Sequence, residues 1–240
     1  MKLFLFLLCL VGTSLIHGQE PWETDYNRLL SKYVSPQGVN YGAWKANSKD
    51  LQDLKAITQA IAQQGPNSNS REARLAYLIN AYNVWTLHNV LERYPVKSVR
   101  DIAPIFGFFT GDRIVVMGKK MSLNHLEKQL IIKEFKEPRI HFAVNCASVS
   151  CPPLASEAFT EKKLETQLER VTRDFLNKDE PALKVETNRV HISKIFDWYK
   201  DDFQPLGGAL AYINLYRRPP LPEKMKIDYL EYDWSLNASH

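Results

Sequence analysis

The reactive residue types of this chain gather in Arg139–Leu154, where His141 stands five residues before Cys146, Cys151 follows five residues later, and Pro152-Pro153 closes the run. A thiol becomes a strong nucleophile at neutral pH when a neighbouring imidazolium stabilises the thiolate, which makes Cys146 a candidate nucleophile and His141 its candidate base. The same residues support other readings. Cys146 and Cys151 could pair as a disulfide in an oxidising compartment, stiffening the turn and removing the nucleophile. Cys146 could be a buried, inert thiol. His141, Cys146 and Cys151 could also contribute to a zinc site, although the usual CxxC and HExxH spacings are absent.

Two further groups have spacing suited to binding. On a helix, Asp197 and Asp201 would face one way, and Trp198 and Asp202 would form a second pair. Carboxylates beside aromatic rings bind sugars or perform acid–base chemistry; the simpler reading makes the rings core and the acids caps or partners of Lys194 and Lys200. Asn80 and Asn83 lie three apart in an apolar stretch. Buried amides must be hydrogen-bonded, so they either staple a neighbouring segment or line a polar cleft. Asn80, Asn83, Asp197 and Trp198 are therefore the candidate binding residues.

The elements that must position these groups follow from periodicity and punctuation. Arg71–Arg93 is expected to be a helix capped by Ser70, and its apolar residues cover nearly the whole circumference, the mark of a buried central helix. Helices are also expected over 26–33, 51–62, 123–133, 159–177, 195–203 and 206–216. A β-hairpin is expected within 108–121, and paired strands over 182–185 and 189–192. Ile140–Asn145 reads as a strand, which creates a conflict. Side chains five apart on a straight strand point to opposite faces, so His141 meets Cys146 only if the strand ends or bulges near Asn145. The fold class expected is α+β, one domain with a small, mainly antiparallel sheet packed on the central helix.

The 240 residues carry a formal net charge of +4 spread along the chain, which argues against nucleic acid as a partner. Met1-Lys2 followed by the apolar run 3–11 reads as a secretory signal peptide ending at about Gly18; the run is shorter than the roughly 20 apolar residues of a membrane span. The expected protein is thus secreted or periplasmic, free of the membrane once residues 1–18 are removed. Residues 19–240 form the domain, with an extended, Pro-rich tail from about 217. No Gly-rich phosphate loop or serine nucleophile elbow is present, and no cofactor is implied.

Several segments in order, Leu78–Asn83, Ser122-Leu123 with Glu127, Arg139–Leu154, and Ile195–Tyr199 with Asp202-Phe203, resemble the family known as domain of unknown function 547. The resemblance implies a transglutaminase- or papain-like cysteine hydrolase arrangement, and it points to Glu127, His141 and Cys146. In that arrangement Cys146 is the nucleophile, His141 the base and Glu127 the group that orients the imidazole, while backbone N–H groups of Ala147-Ser148-Val149 supply an oxyanion hole. Ala147 stands where the family commonly has glycine. The activity expected is a cysteine-dependent hydrolase or acyltransferase acting on a small peptide-like amide. The alternative is a non-catalytic domain for a cell-envelope ligand, with Cys146 and Cys151 joined.

Overall fold

The computed structural model describes residues 21–102 and 107–239; residues 1–18, expected to be a signal peptide, lie outside them. Helix α1 (Pro21–Tyr33) leads through the two-residue strands β1 (Val34–Ser35) and β2 (Gly38–Val39) into α2 (Tyr41–Ala46) and α3 (Ser48–Gln63). Buried Asp50 ties α3 to α1, accepting from Arg28, Lys32 and Tyr33. These elements pack around α4 (Arg71–Arg93), which has the bounds expected from sequence. Ser70 Oγ accepts from Ala73 N at its start, and the run from Leu75 to Val84 is buried without a break. A helix apolar all round must sit at the centre of its core, because no face of it favours water.

A short helix α5 (Gly107–Thr110) precedes the hairpin β3 (Ile114–Val116) and β4 (Lys119–Met121). Next, α6 (Leu123–His125) runs into a π-helical stretch, Leu126–Ile132, and then α7 (Lys133–Phe135). The widened turn lies against α4 and carries the buried Glu127. Later elements are α8 (Leu164–Leu176), β5 (Leu183–Val185), β6 (Arg189–Ile192), α9 (Ile195–Trp198), α10 (Lys200–Phe203), α11 (Gly208–Tyr216) and β7 (Lys226–Tyr229). They enclose a second, strongly aromatic core around Phe142, Phe175, Phe196, Phe203 and Tyr212.

The fold is α+β, but the sheet differs from expectation. Among the described residues the strands form three small sheets, β1–β2, β3–β4 and β5–β6–β7, rather than one sheet on the central helix. No strand exceeds four residues, so none offers a face wide enough to cover α4. The β6–β7 pair is parallel because three helices intervene and return the chain in the same direction.

Ile140–Asn145 is not a strand. Pro138–Phe142 forms a 3₁₀ helix, with Glu137 accepting from Arg139 N, and the backbone then turns. The apolar run that suggested a strand has another origin: Ile140, Ala143 and Val144 enter the core around α4, whereas Phe142 enters the aromatic core. The segment is the seam between the two cores, and short apolar runs do not distinguish a buried strand from a buried helix. The conflict over the faces of His141 and Cys146 disappears with the strand.

Beyond β7 the chain stays extended and crosses the molecule. It bridges Ser98 through Ser235, Ser148 through Leu236, and Val39 through Ala238.

Candidate active site

The turn after the 3₁₀ helix is held by side-chain amides. Asn83 Nδ2 donates to Ala143 O (3.0 Å) and Asn83 Oδ1 accepts from Asn145 N (2.8 Å). Asn145 in turn donates to Pro152 O (2.8 Å) and accepts from Ala147 N (2.9 Å). Ala147 adopts φ 60, the left-handed region that glycine enters without cost, which explains why glycine suits this position in the family pattern. Ala147 meets the requirement at a cost of about 1–2 kcal/mol, offset by the bonds around it. The C-terminal segment pins the other side: Val149 N donates to Ser235 O, Ser150 N to Asp233 O, and Asn237 N to Ala147 O.

This turn delivers Cys146 to a cleft. Its Sγ lies 3.0 Å from Ser148 Oγ and 3.2 Å from Tyr232 Oη, and Ser148 Oγ also donates to Tyr232 Oη at 3.2 Å. Burial pushes the thiol up, but hydrogen bonds from Cys151, Ser148 and Tyr232 to the thiolate outweigh it and bring the Cys146 pKa down to about 7. Cys151, buried behind it, is driven the other way by burial and by the neighbouring sulfur, so it stays a thiol. Both cysteines are free, and Cys151 Sγ accepts from Cys146 N at 2.9 Å.

His141 lies in the same cleft with its Nε2 2.7 Å from Asp202 Oδ2. The carboxylate accepts the Nε2 proton and fixes the tautomer, which leaves Nδ1 as the basic nitrogen of the neutral ring. The Tyr199 ring packs against the imidazole at a tilt of 32° with ring centroids 4.1 Å apart, and Phe203 lies at 5.6 Å. Glu127 has a different partner from the one expected: Tyr199 Oη donates to its Oε1 at 2.5 Å. The imidazole is therefore oriented by Asp202, and Glu127 reaches it only through the Tyr199 ring.

Cys146, His141, Glu127 and Trp198 all line this cleft of about 220 Å³. The other candidate binding residues do not. Asn80 is spent on the backbone of Phe159, donating to its O and accepting from its N, as Asn83 is on Ala143 and Asn145. Both are staples, because a fully buried amide must place its donor and acceptor on whatever backbone lies opposite. Asp197 pairs with Lys194 at 3.0 Å near the surface. Of the three backbone N–H groups expected to form an oxyanion hole, Ala147 N is committed to Asn145 and Val149 N to Ser235, which leaves Ser148 N, directed at the Cys146 sulfur. Among the described residues, no three His, Cys, Asp or Glu side chains converge as metal ligands, so His141, Cys146 and Cys151 do not form a zinc site.

Residues 66–176 match the model of the family described as Protein of unknown function, DUF547. Over this segment, just under half of its length, the chain is similar to that family. No curated protein and no solved structure matches it. The DUF547 match contains Glu127, His141, Cys146 and Cys151, but the cleft is completed from outside it. Asp202 comes from α10, and Tyr232 and Trp234 come from the C-terminal segment. Asp202 was legible as part of an acidic, aromatic helix but not as the partner of His141, a contact across 61 residues of sequence. Nothing in the local sequence marked Tyr232, whose role depends on the tail folding back over the turn.

Proposed function

We propose that this protein is an exported cysteine hydrolase or acyltransferase acting on a peptide-like amide through an acyl-cysteine intermediate, in a transglutaminase- or papain-like manner. The observation that carries the reading is a thiol with a pKa near 7 opening onto the same cleft as an imidazole whose far nitrogen is held by a carboxylate. Thiol nucleophile, base and orienting acid are the three roles such chemistry needs. Export is supported by the apolar run after Met1-Lys2.

In this mechanism His141 Nδ1 takes the thiol proton and the Cys146 thiolate attacks the amide carbonyl carbon. The C–N bond then breaks, and the imidazolium returns its proton to the departing amine. Water or a second amine, deprotonated by Nδ1, attacks the thioester, and cleavage of the C–S bond restores the thiolate. The backbone N–H groups at 147 and 149 are occupied, which leaves Ser148 N, beside the Cys146 sulfur, as the backbone donor for the developing oxyanion. Tyr232 Oη, now beside the sulfur, is the available hydroxyl, and burial holds it neutral well above the usual phenol range.

The test is alkylation of the purified protein with iodoacetamide at pH 7, followed by intact mass and peptide mapping. Rapid single labelling at Cys146 supports the reading. The competing reading, a non-catalytic binding domain, draws on the closeness of Cys151 Sγ to Cys146 N. It would be favoured by a mass two hydrogens short and no titratable thiol before reduction.

A further inference from the structure

One wall of the cleft is an aromatic group, of which only Tyr232 has a part in the proposed chemistry. Trp198, Tyr232 and Trp234 contact one another with ring centroids 4.6–5.8 Å apart, and Phe109 extends the group to Trp234 at 6.3 Å. Trp198 remains 47% exposed, an unusual state for tryptophan beside a cavity. Tyr199 and Glu127 complete the surface, and among the described residues no lysine or arginine lines the cleft. Glu127 is buried, and only Oε1 has a protein partner among the described residues. The electron-rich faces of these rings attract cations, and a buried carboxylate with a free oxygen is relieved by a positive charge. The group already holds one cation on its outer side, where the Arg100 guanidinium lies 5.9 Å from the Trp234 ring centroid. Arg100 is not among the residues lining the cleft.

We propose that the cleft recognises an ammonium group, so that the protein's substrates carry a cationic amine held between the Trp198–Tyr232–Trp234 wall and Glu127. This rests on the reading of the cleft as a substrate site and adds the chemical class of the substrate. A neutral or anionic substrate end would leave Glu127 without a counter-charge. A cation fills both requirements.

The experiment is calorimetric titration of the purified protein with choline and, separately, with 3,3-dimethylbutan-1-ol, which has the same shape and no charge. Choline is expected to bind at least about tenfold more tightly. Trp198→Ala, a change at an exposed ring, and Glu127→Gln, of equal volume, should each bring the two dissociation constants within about threefold. Equal binding of both probes by the unmodified protein, no choline binding up to about 100 mM, or a preference unchanged in W198A with native circular dichroism would overturn the proposal. Repeating the titration with Cys146→Ser separates it from the thiol chemistry. Choline binding in a protein whose Cys146 fails to alkylate sinks the hydrolase reading alone, and rapid alkylation without choline binding sinks this inference alone.

Discussion

The central helix α4 and the cleft each bury polar side chains, and they spend them differently. Asn80 and Asn83 each place both the amide nitrogen and the amide oxygen on backbone groups of Phe159, Ala143 and Asn145. In the cleft, His141 gives Asp202 one nitrogen and keeps the other, Glu127 gives Tyr199 one oxygen and keeps the other, and Cys146 faces hydroxyls that favour its thiolate. A saturated polar group lowers the energy of one conformation and does nothing more. A half-satisfied one costs stability and retains the capacity to react, which is why such groups mark sites. The two sets meet at the 143–151 turn, where the first holds the second in place.

The comparison is broken most severely by removing the sulfur. Cys146→Ser is expected to abolish rapid alkylation and any acyl-enzyme, with a thermal midpoint within a few degrees of the parent; a large drop in midpoint would place Cys146 among the structural groups. Asn83→Ala should behave in the opposite way. It strands the Ala143 carbonyl and the Asn145 N–H, at about 1–3 kcal/mol each. Denaturant titration should show a loss of roughly 3 kcal/mol, and a loss under 1 kcal/mol would mean that the turn does not depend on α4.

Asp202→Asn sharpens the assignment of the orienting acid. Turnover should fall on the order of 10²-fold, the usual scale for a disturbed general base. Glu127→Gln should act mainly through KM, and the reverse pattern would restore Glu127 to the imidazole. Smaller still is Tyr232→Phe, which removes one hydrogen bond worth about 1 kcal/mol and should slow alkylation at pH 7 by about threefold. In the parent protein the alkylation rate should climb as the thiol ionises, with its midpoint near pH 7. In Y232F that midpoint should move to higher pH, since the lost donor favoured the thiolate.

Much of the scaffold was readable in the chain. Ser70 and the nearly complete apolar circumference defined α4, and two short β-rich runs marked the β5–β6 pair. These features depend on neighbours within a few residues, where caps, turns and periodicity act. The seam at 140–145 was not readable, because one short apolar run serves two cores and its pattern sums two unrelated demands.

The sequence by itself determined the reactive types, Cys146, His141 and Glu127, and the amides that brace them, since side-chain chemistry travels with the residue. Only the tertiary structure decided which groups face which. It gave His141 to Asp202, Glu127 to Tyr199, the thiol to Tyr232 and an aromatic wall to the C-terminal segment. Those pairings join residues 61 to 86 positions apart. At such separations contact is set by how two cores and a returning strand pack, and no local pattern encodes it.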